Sequence, residues 1–329
     1  MKLVLLFATL FAVSCLASDE LELQPKWELF KSEHGKNYET DTENRMRHKL
    51  WLDNLRMVEE HNKRYENGEV TYYLAQNRFS DMTTEEREQM NGFRMEDRPV
   101  AESEYVRSGE KLDESWDWRT KNAVNPVRDQ GYCGSCWAFS SIAAIETQYW
   151  LQKSSLKSFS EQQLVDCVEN TDCKNGGHMW LAFRYLKGNG LQSRDSYPYL
   201  DLKTICKYDP TKIAMSGVAS FVNLPQGNEV ALAEAIQKVG VISIAVNTKN
   251  EDFHFYSGGV YKPAKCDPMA PDHAISAVGF GTDKRGGDFF IVRNSWGSTW
   301  GEKGYMRLAR NQGNVCGVAS CAVYPVLMN

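Results

Sequence analysis

The chain has 329 residues, a formal net charge of −5 and 42% hydrophobic residues. That length accommodates one or two folded units, and the composition is that of an ordinary globular protein rather than a disordered chain. The acidic balance argues against a nucleic-acid partner, which would favour a basic face.

Lys2 opens the chain and an apolar run, Leu3 to Val13, follows. Ser14-Cys15-Leu16-Ala17 then places small residues at Cys15 and Ala17, the two positions read by signal peptidase. Residues 1–17 therefore read as a signal peptide cleaved after Ala17. A membrane anchor is the alternative, but the run is shorter than the roughly 20 residues a span needs. No later segment is long and apolar enough to cross a bilayer, so no membrane partner is expected. The chain contains no Asn-x-Ser/Thr sequon, which removes an N-glycan route to the lysosome and makes secretion, for instance into a digestive lumen, the more plausible destination.

Residues 18–111 lack cysteine and carry 22 acidic against 15 basic residues, whereas the chain from Leu112 onward carries 21 against 22. An acidic segment joined to a nearly neutral one suggests two units that can separate. In the first, Thr40-x-x-Glu43 fits a capping box. A charged helix follows, with Leu50, Trp51, Leu55 and Val58 at helical spacing, and Asn67-Gly68 stops it. Leu74-Ala75-Gln76-Asn77-Arg78-Phe79 reads as extended. Residues 95–111 are polar, with Glu96, Asp97, Glu102, Glu104 and Glu110, and read as a linker over the surface.

The second unit opens on Trp116-Asp117-Trp118-Arg119. A helix begins at Cys136, with Trp137, Ile142, Ala143, Ile145 and Trp150 among its apolar positions. Another begins at Ser160, where Ser160-x-x-Gln163 fits a second capping box. Later segments are strand-like: Val241 to Val246, Ala274 to Phe280 and Phe289 to Val292 are short and rich in apolar and β-branched residues. Helices first and strands second predict an α+β unit of two subdomains.

Nine cysteines are present, and the eight beyond Cys15 all follow residue 130. In an exported chain most of them should pair. Cys133-x-x-Cys136 has the spacing of half a zinc site, but Cys167 and Cys173 are too far apart for the other half, and a metal would silence both thiols. No metal or other cofactor is expected. A redox pair of Cys133 and Cys136 would need a strand ahead of it in a small βαβ unit, and none is evident.

Gln130-Gly131-Tyr132-Cys133-Gly134-Ser135-Cys136-Trp137 carries the sharpest chemical signal. A thiol acts as a nucleophile only as thiolate, and a helix N-terminus favours an anion. Cys136 at the head of its helix uses that field. Of the three histidines in the second unit, His178, His254 and His273, the last follows Pro271-Asp272 and opens a buried apolar strand. Asn294-Ser295-Trp296-Gly297 supplies an amide able to accept from an imidazole N–H and hold the ring.

The Cys-Gly-Ser-Cys-Trp run resembles the signature of the papain and cathepsin family of cysteine proteases. His273 lies 137 residues after Cys136 and Asn294 lies 158 after it, against the roughly 130–150 common in the family. The resemblance implies a papain-like two-subdomain fold, with a helical left half, a β-barrel-like right half and an N-terminal helical propeptide. It implies Cys136 as nucleophile, His273 as its base, Asn294 as the orienting amide shielded by Trp296, and Gln130 as oxyanion donor. It also implies the disulfides Cys133–Cys173, Cys167–Cys206 and Cys266–Cys316, which leave Cys136 and Cys321 outside the pairs.

Glu43, Arg47, Trp51, Asn54, Val58 and Asn62 fit the spaced propeptide pattern of cathepsin L-like proteases, with Trp51 and Val58 where Phe and Ile are usual. Ala75-x-Asn77-x-Phe79-x-Asp81 fits a second propeptide motif, with Ala75 in place of glycine. The implied domains are 18–111, an inhibitory propeptide lying along the cleft, and 112–329, the mature peptidase. Gly176 and Gly177 should let substrate backbone approach closely, although Lys174 looks inserted just before them. Met179, Ala245, Pro271, Ala274 and Cys321 fall at the pocket for the second residue before the scissile bond. With no acid at its floor, that pocket should prefer a hydrophobic residue over Arg.

As the carboxylates of the acidic first unit protonate, its pairing with the second unit should weaken, so activation by self-cleavage below about pH 5 is expected. Together with the resemblance this gives a monomeric, acid-activated endopeptidase of the secretory pathway, secreted or lysosomal. Its partners would be peptide and protein substrates, its own propeptide and cystatin-like inhibitors. No histidine-bearing loop of the cathepsin B kind is inserted, which argues against exopeptidase activity. A binding protein on the same fold, or an inhibitor built on the propeptide alone, would not need the full Cys–His–Asn–Gln set.

Overall fold

The computed structural model describes residues 23–95 and 103–328, so the signal peptide and its cleavage site lie outside the described residues. Helix α1 covers residues 23–33 and α2 runs Asp41–Glu66. Trp27, Phe30, Trp51 and Leu52 bury their rings and branches between the two. Thr40 caps α2 by accepting from the Glu43 N–H, but the return bond is missing because Glu43 turns toward Arg47, 3.7 Å away. The complete capping box is at Thr83 and Glu86, ahead of the short α3 (Thr84–Glu88). Asn67 and Gly68 close α2 onto its last carbonyls, Gly68 with a φ of 80°.

Strand β1 is short, Tyr72–Leu74. The extended reading of 74–79 fails from Arg78 onward, because residues 78–80 form a turn. The Asn77 carboxamide accepts the Phe79 N–H at 3.0 Å, and Ser80 Oγ accepts the Asn77 N–H at 3.0 Å, so side chains replace ladder bonds there. The surface linker is anchored where it is described: β2 (Ser103–Glu104) is a strand, and Tyr105, Arg107 and Ser108 all reach the buried carboxylate of Glu234.

After β3 (Trp116–Asp117) comes a helical half: α4 (Cys136–Lys153), α5 (Glu161–Cys167) and α6 (Met179–Gly188). Ser160 caps α5, but Gln163 does not complete the box. Its amide is spent on the Gly190 carbonyl and the Gln192 N–H. The antiparallel pair β4 (Leu191–Gln192) and β5 (Ile213–Met215) leads to β6 (Val218–Asn223), α7 (Glu229–Lys238), β7 (Ile242–Val246) and α8 (Glu251–Phe255). Strands β8 (Tyr256–Tyr261), β9 (His273–Asp283), β10 (Gly287–Arg293), β11 (Tyr305–Ala309) and β12 (Val323–Leu327) complete the chain.

The main sheet runs β1-β8-β11-β10-β9-β7-β12-β6-β2. It is an open path rather than a closed barrel, and both its ends come from the N-terminal segment: β1 lies antiparallel on β8 and β2 parallel on β6. The segment therefore covers the two strand edges that the domain would otherwise expose. Helix α4 packs between the halves, against β9 and β12 on one side and α5 and α6 on the other. Disulfides join Cys133 to Cys173, Cys167 to Cys206 and Cys266 to Cys316.

Candidate active site

The Cys133–Cys173 bridge pins the turn ahead of α4, where Gly134 donates to the Cys173 carbonyl at 2.9 Å. With its sulfur in that bridge, Cys133 is unavailable to zinc. Among the described residues no group of three or more His, Cys, Asp or Glu is placed to hold a metal ion. Ser135 gives α4 no side-chain cap. Of the first-turn amides, the Trp137 N–H faces the Cys136 thiol, at the end of an 18-residue helix that favours negative charge.

Across the cleft, β9 delivers His273 and the end of β10 delivers Asn294. His273 Nε2 lies 2.8 Å from Asn294 Oδ1, an oxygen that can only accept and that also takes the Ser295 N–H at 2.8 Å. Nε2 therefore carries the hydrogen, and Nδ1, which has no hydrogen-bond partner, is the basic nitrogen. Trp296 stacks on the imidazole at 4.7 Å and shuts water off from this pair. The N–H of Ala274, next to His273, reaches Cys136 Sγ at 3.3 Å. Gln130 is fully buried. Its Oε1 accepts from Ser295 Oγ at 2.7 Å, which turns the amide nitrogen into the cleft.

The N-terminal segment fills that cleft. Gln130 Nε2 donates to the Met90 carbonyl at 2.8 Å, Gly177 N–H to the Gly92 carbonyl at 3.0 Å, and Phe93 N–H to the Asp272 carbonyl at 3.1 Å. Gly92 has to be glycine: a Cβ there would come within 1.7 Å of the Gly134 carbonyl oxygen. Burial under this cover pushes the Cys136 thiol up to about 12, and burial brings His273 down to about 4 against the opposing pull of its Asn294 bond. Both groups are neutral in the covered form.

Met179, Ala245, Ala274 and Cys321 share one buried apolar cluster with Phe93 and Cys136. Pro271 is also buried, beside Gly317, and Trp296 belongs to the opposite cluster. The extra residue Lys174 sits in a tight turn closed by Asp172, whose carboxylate accepts the N–H groups of Lys174 at 2.8 Å and Asn175 at 2.6 Å. Gly176, with φ 72°, and Gly177 therefore still face the cleft. His178 stacks on Trp180 at 4.3 Å.

Sequence reasoning missed Met90, Asn91, Gly92 and Phe93, the residues lying on the site. The one signal was a Gly-Phe pair just beyond a short capped helix. It also misjudged the charge. The segment's acids pair largely within it, Lys36 with Asp81 at 2.7 Å and Arg47 with Glu86 at 2.5 Å. Among the described residues, the pairs crossing to the domain mostly have the opposite polarity. Arg78 meets Asp129, Arg87 meets Glu251 and Arg107 meets Glu234, whereas Glu110 with Lys238 is the reverse case.

Residues 112–326 match the papain family of cysteine proteases, and residues 27–87 match the cathepsin propeptide inhibitor domain. The chain is 41% identical over 344 residues to a cathepsin L-like peptidase of Aedes aegypti, covering 99% of each. It is 43% identical to digestive cysteine proteinase 1 of Homarus americanus, covering 99% of this chain and 100% of that one. Among solved structures, digestive procathepsin L 3 of the Tenebrio molitor larval midgut superposes with a TM-score of 0.85 at 39% identity, covering 93% of this chain and 99% of that one.

Proposed function

This chain belongs to the papain family of cysteine proteases, as a precursor of the cathepsin L type, and on that footing we propose that Cys136, His273, Asn294 and Gln130 carry peptide hydrolysis once the prosegment leaves. With the cleft open, His273 Nδ1 takes the proton of the Cys136 thiol, and the resulting thiolate attacks the scissile carbonyl carbon. Gln130 Nε2 and the Cys136 N–H hold the oxyanion, a contribution of about 3–4 kcal/mol for one such donor in comparable enzymes. His273 protonates the leaving amine, giving an acyl-enzyme, and then draws a proton from the water that releases the acid. The observation that carries this reading is the His273–Asn294 bond, which leaves Nδ1 as the basic nitrogen next to the residue touching Cys136 Sγ.

The apolar cluster of Met179, Ala245, Ala274 and Cys321 takes a hydrophobic residue second from the cut. Phe93 of the prosegment stands in for it in the precursor, and the Met90 carbonyl stands in for an oxyanion at Gln130. The enzyme is a monomeric endopeptidase, open to peptide and protein substrates and to cystatin-like inhibitors. Residues 1–17 direct it into the secretory pathway, and maturation occurs near Leu112. Secretion into a digestive lumen fits the absent sequon and the name of the lobster relative better than a lysosomal fate. Acid activates it below about pH 5, through the interface rather than through the prosegment's own net charge.

Recombinant precursor and its Cys136→Ala copy, held at pH 4, test the assignment on a fluorogenic peptide with a bulky apolar residue second from the cut and Arg at the cut. Turnover by the first and none by the second is expected. Silence from both, with the prosegment gone, would overturn it.

A further inference from the structure

His254, on α8, is 4% exposed, and neither of its ring nitrogens has a hydrogen-bond partner. Such a group calls for a reason. Its ring lies 5.1 Å from Trp296 and nearly parallel to it, and Trp296 in turn stacks on His273. The prosegment closes the other side. Phe79 stands edge-on to His254 at 5.9 Å and to Trp296 at 5.2 Å, and Asn77 donates to the His254 carbonyl at 2.8 Å.

The charged group facing this ring disfavours a proton on it: helix α3 presents Arg87, itself 3% exposed. His273, presented by β9, is neutral in the covered form and adds to this only once it is itself protonated. The two acids on the histidine's own helix are engaged elsewhere. Glu251 lies 3.9 Å from Arg87 with its side chain 61% exposed, and Asp252 accepts from the hydroxyls of Tyr72 and Tyr261. The pocket is otherwise aromatic: Phe79, Phe253 and Trp296.

We propose that His254 is the proton sensor of the precursor: its neutral ring lets Phe79 seat against Trp296 and Arg87 over Phe255, and its protonation expels them and uncovers the cleft. The proposal rests on the acid-activation reading and names the group that acts. Burial, with the Arg87 guanidinium beside it, holds this histidine well below the ordinary value of about 6.5. The covered form therefore binds fewer protons than the uncovered one, in which Phe79 and Arg87 are gone. Covering is complete above about pH 6.5 and weakens as pH falls, by at most tenfold per unit, until the lowered value is reached. Between pH 6.5 and 4.5 the ceiling is about 100-fold in the opening equilibrium.

The test uses the full-length precursor with Cys136→Ser, which cannot cut itself, alone and combined with His254→Gln or His254→Leu. Amide protection of residues 72–93 is measured from pH 7 to pH 4 by hydrogen exchange, corrected for the intrinsic pH dependence. Between pH 6.5 and 4.5 the chain with His254 should lose at least about tenfold more protection than either variant. Equal losses in all three chains would overturn the role of His254 while leaving acid release standing. Protection that persists to pH 4 in all three would overturn acid release itself, and the sensor with it. Should either variant lack protection at pH 7, titration of the His254 ring proton by NMR in the Cys136→Ser precursor decides instead. An ordinary histidine pKa there overturns the proposal.

Discussion

The prosegment and the catalytic domain bury their apolar residues in different places. Trp27, Phe30, Trp51 and Leu52 form a small core that the prosegment makes for itself. Val58, Tyr72, Leu74, Phe79, Met82 and Met90 are buried in a cluster dominated by the domain, and Phe93 in the domain's other cluster. The domain owns nearly all of both clusters and all three disulfides. The helical part of the prosegment is thus held by its own packing, whereas the apolar side chains of the part that blocks the site pack mainly on the enzyme, with Lys36, Arg47, Asn54 and Asn62 tying that part back to the rest of the prosegment. Loosening that interface would strip the apolar cover from residues 72–93 without touching the core between α1 and α2.

The sharpest way to break the comparison is to remove the prosegment's own core. Trp51→Ala should cost about 3–5 kcal/mol of prosegment stability. Hydrogen exchange should then show lost protection over residues 23–66, while the thermal transition of the mature domain stays where it was. A shifted domain transition would mean that the two cores are one cooperative unit. Gln130→Ala comes next, because its amide serves both regions, and it should lower kcat of the mature enzyme about 10²–10³-fold. The same change should weaken the hold on Met90, read as faster self-cleavage per unit of remaining activity. Unchanged kcat would remove Gln130 from the oxyanion site. The smallest effect is expected from Gly92→Ala, an overpacking change of about 1–3 kcal/mol. It should raise neutral-pH activity of the intact precursor about ten- to a hundredfold while leaving kcat and KM of the mature enzyme untouched. A precursor that stayed silent at neutral pH would show that the contact at Gly134 gives way at little cost.

The interface charges sharpen the contrast. The prosegment's acidic excess suggested that its own carboxylates respond to acid. Yet Asp81 and Glu86 are tied within the prosegment, and Arg47 holds the Glu86 carboxyl below its usual range. Most crossing carboxylates belong to the domain: Asp129, Glu251 and Glu234. The first two of these pairs are partly exposed, and pairs of that kind contribute about 0–1 kcal/mol. Glu234 is the exception, fully buried and bonded by Tyr105, Arg107 and Ser108, so it holds the end of the prosegment more firmly than net charge would suggest.

Motifs that depend on neighbours in sequence were legible without a structure. The head of α4 at Cys136, the strand opening at His273, the Asn294-Ser295-Trp296-Gly297 run and the stop at Asn67-Gly68 each follow from local backbone chemistry or a short signature, and the α+β organisation follows from periodicity. Local rules also misled where tertiary partners outbid them. Gln163 bonds Gly190 and Gln192 instead of closing its box, and Asn77 and Ser80 turn a stretch that composition alone would extend. The tertiary structure alone decided which prosegment residues lie on Cys136 and Gln130, which polarity the crossing ion pairs have, and that His254 sits unpartnered beneath Phe79. These are contacts between residues as far apart in the chain as Phe79 and His254. A local pattern can state that a helix begins or a strand is buried, but the environment of a buried titratable group is set by whatever the rest of the fold packs against it.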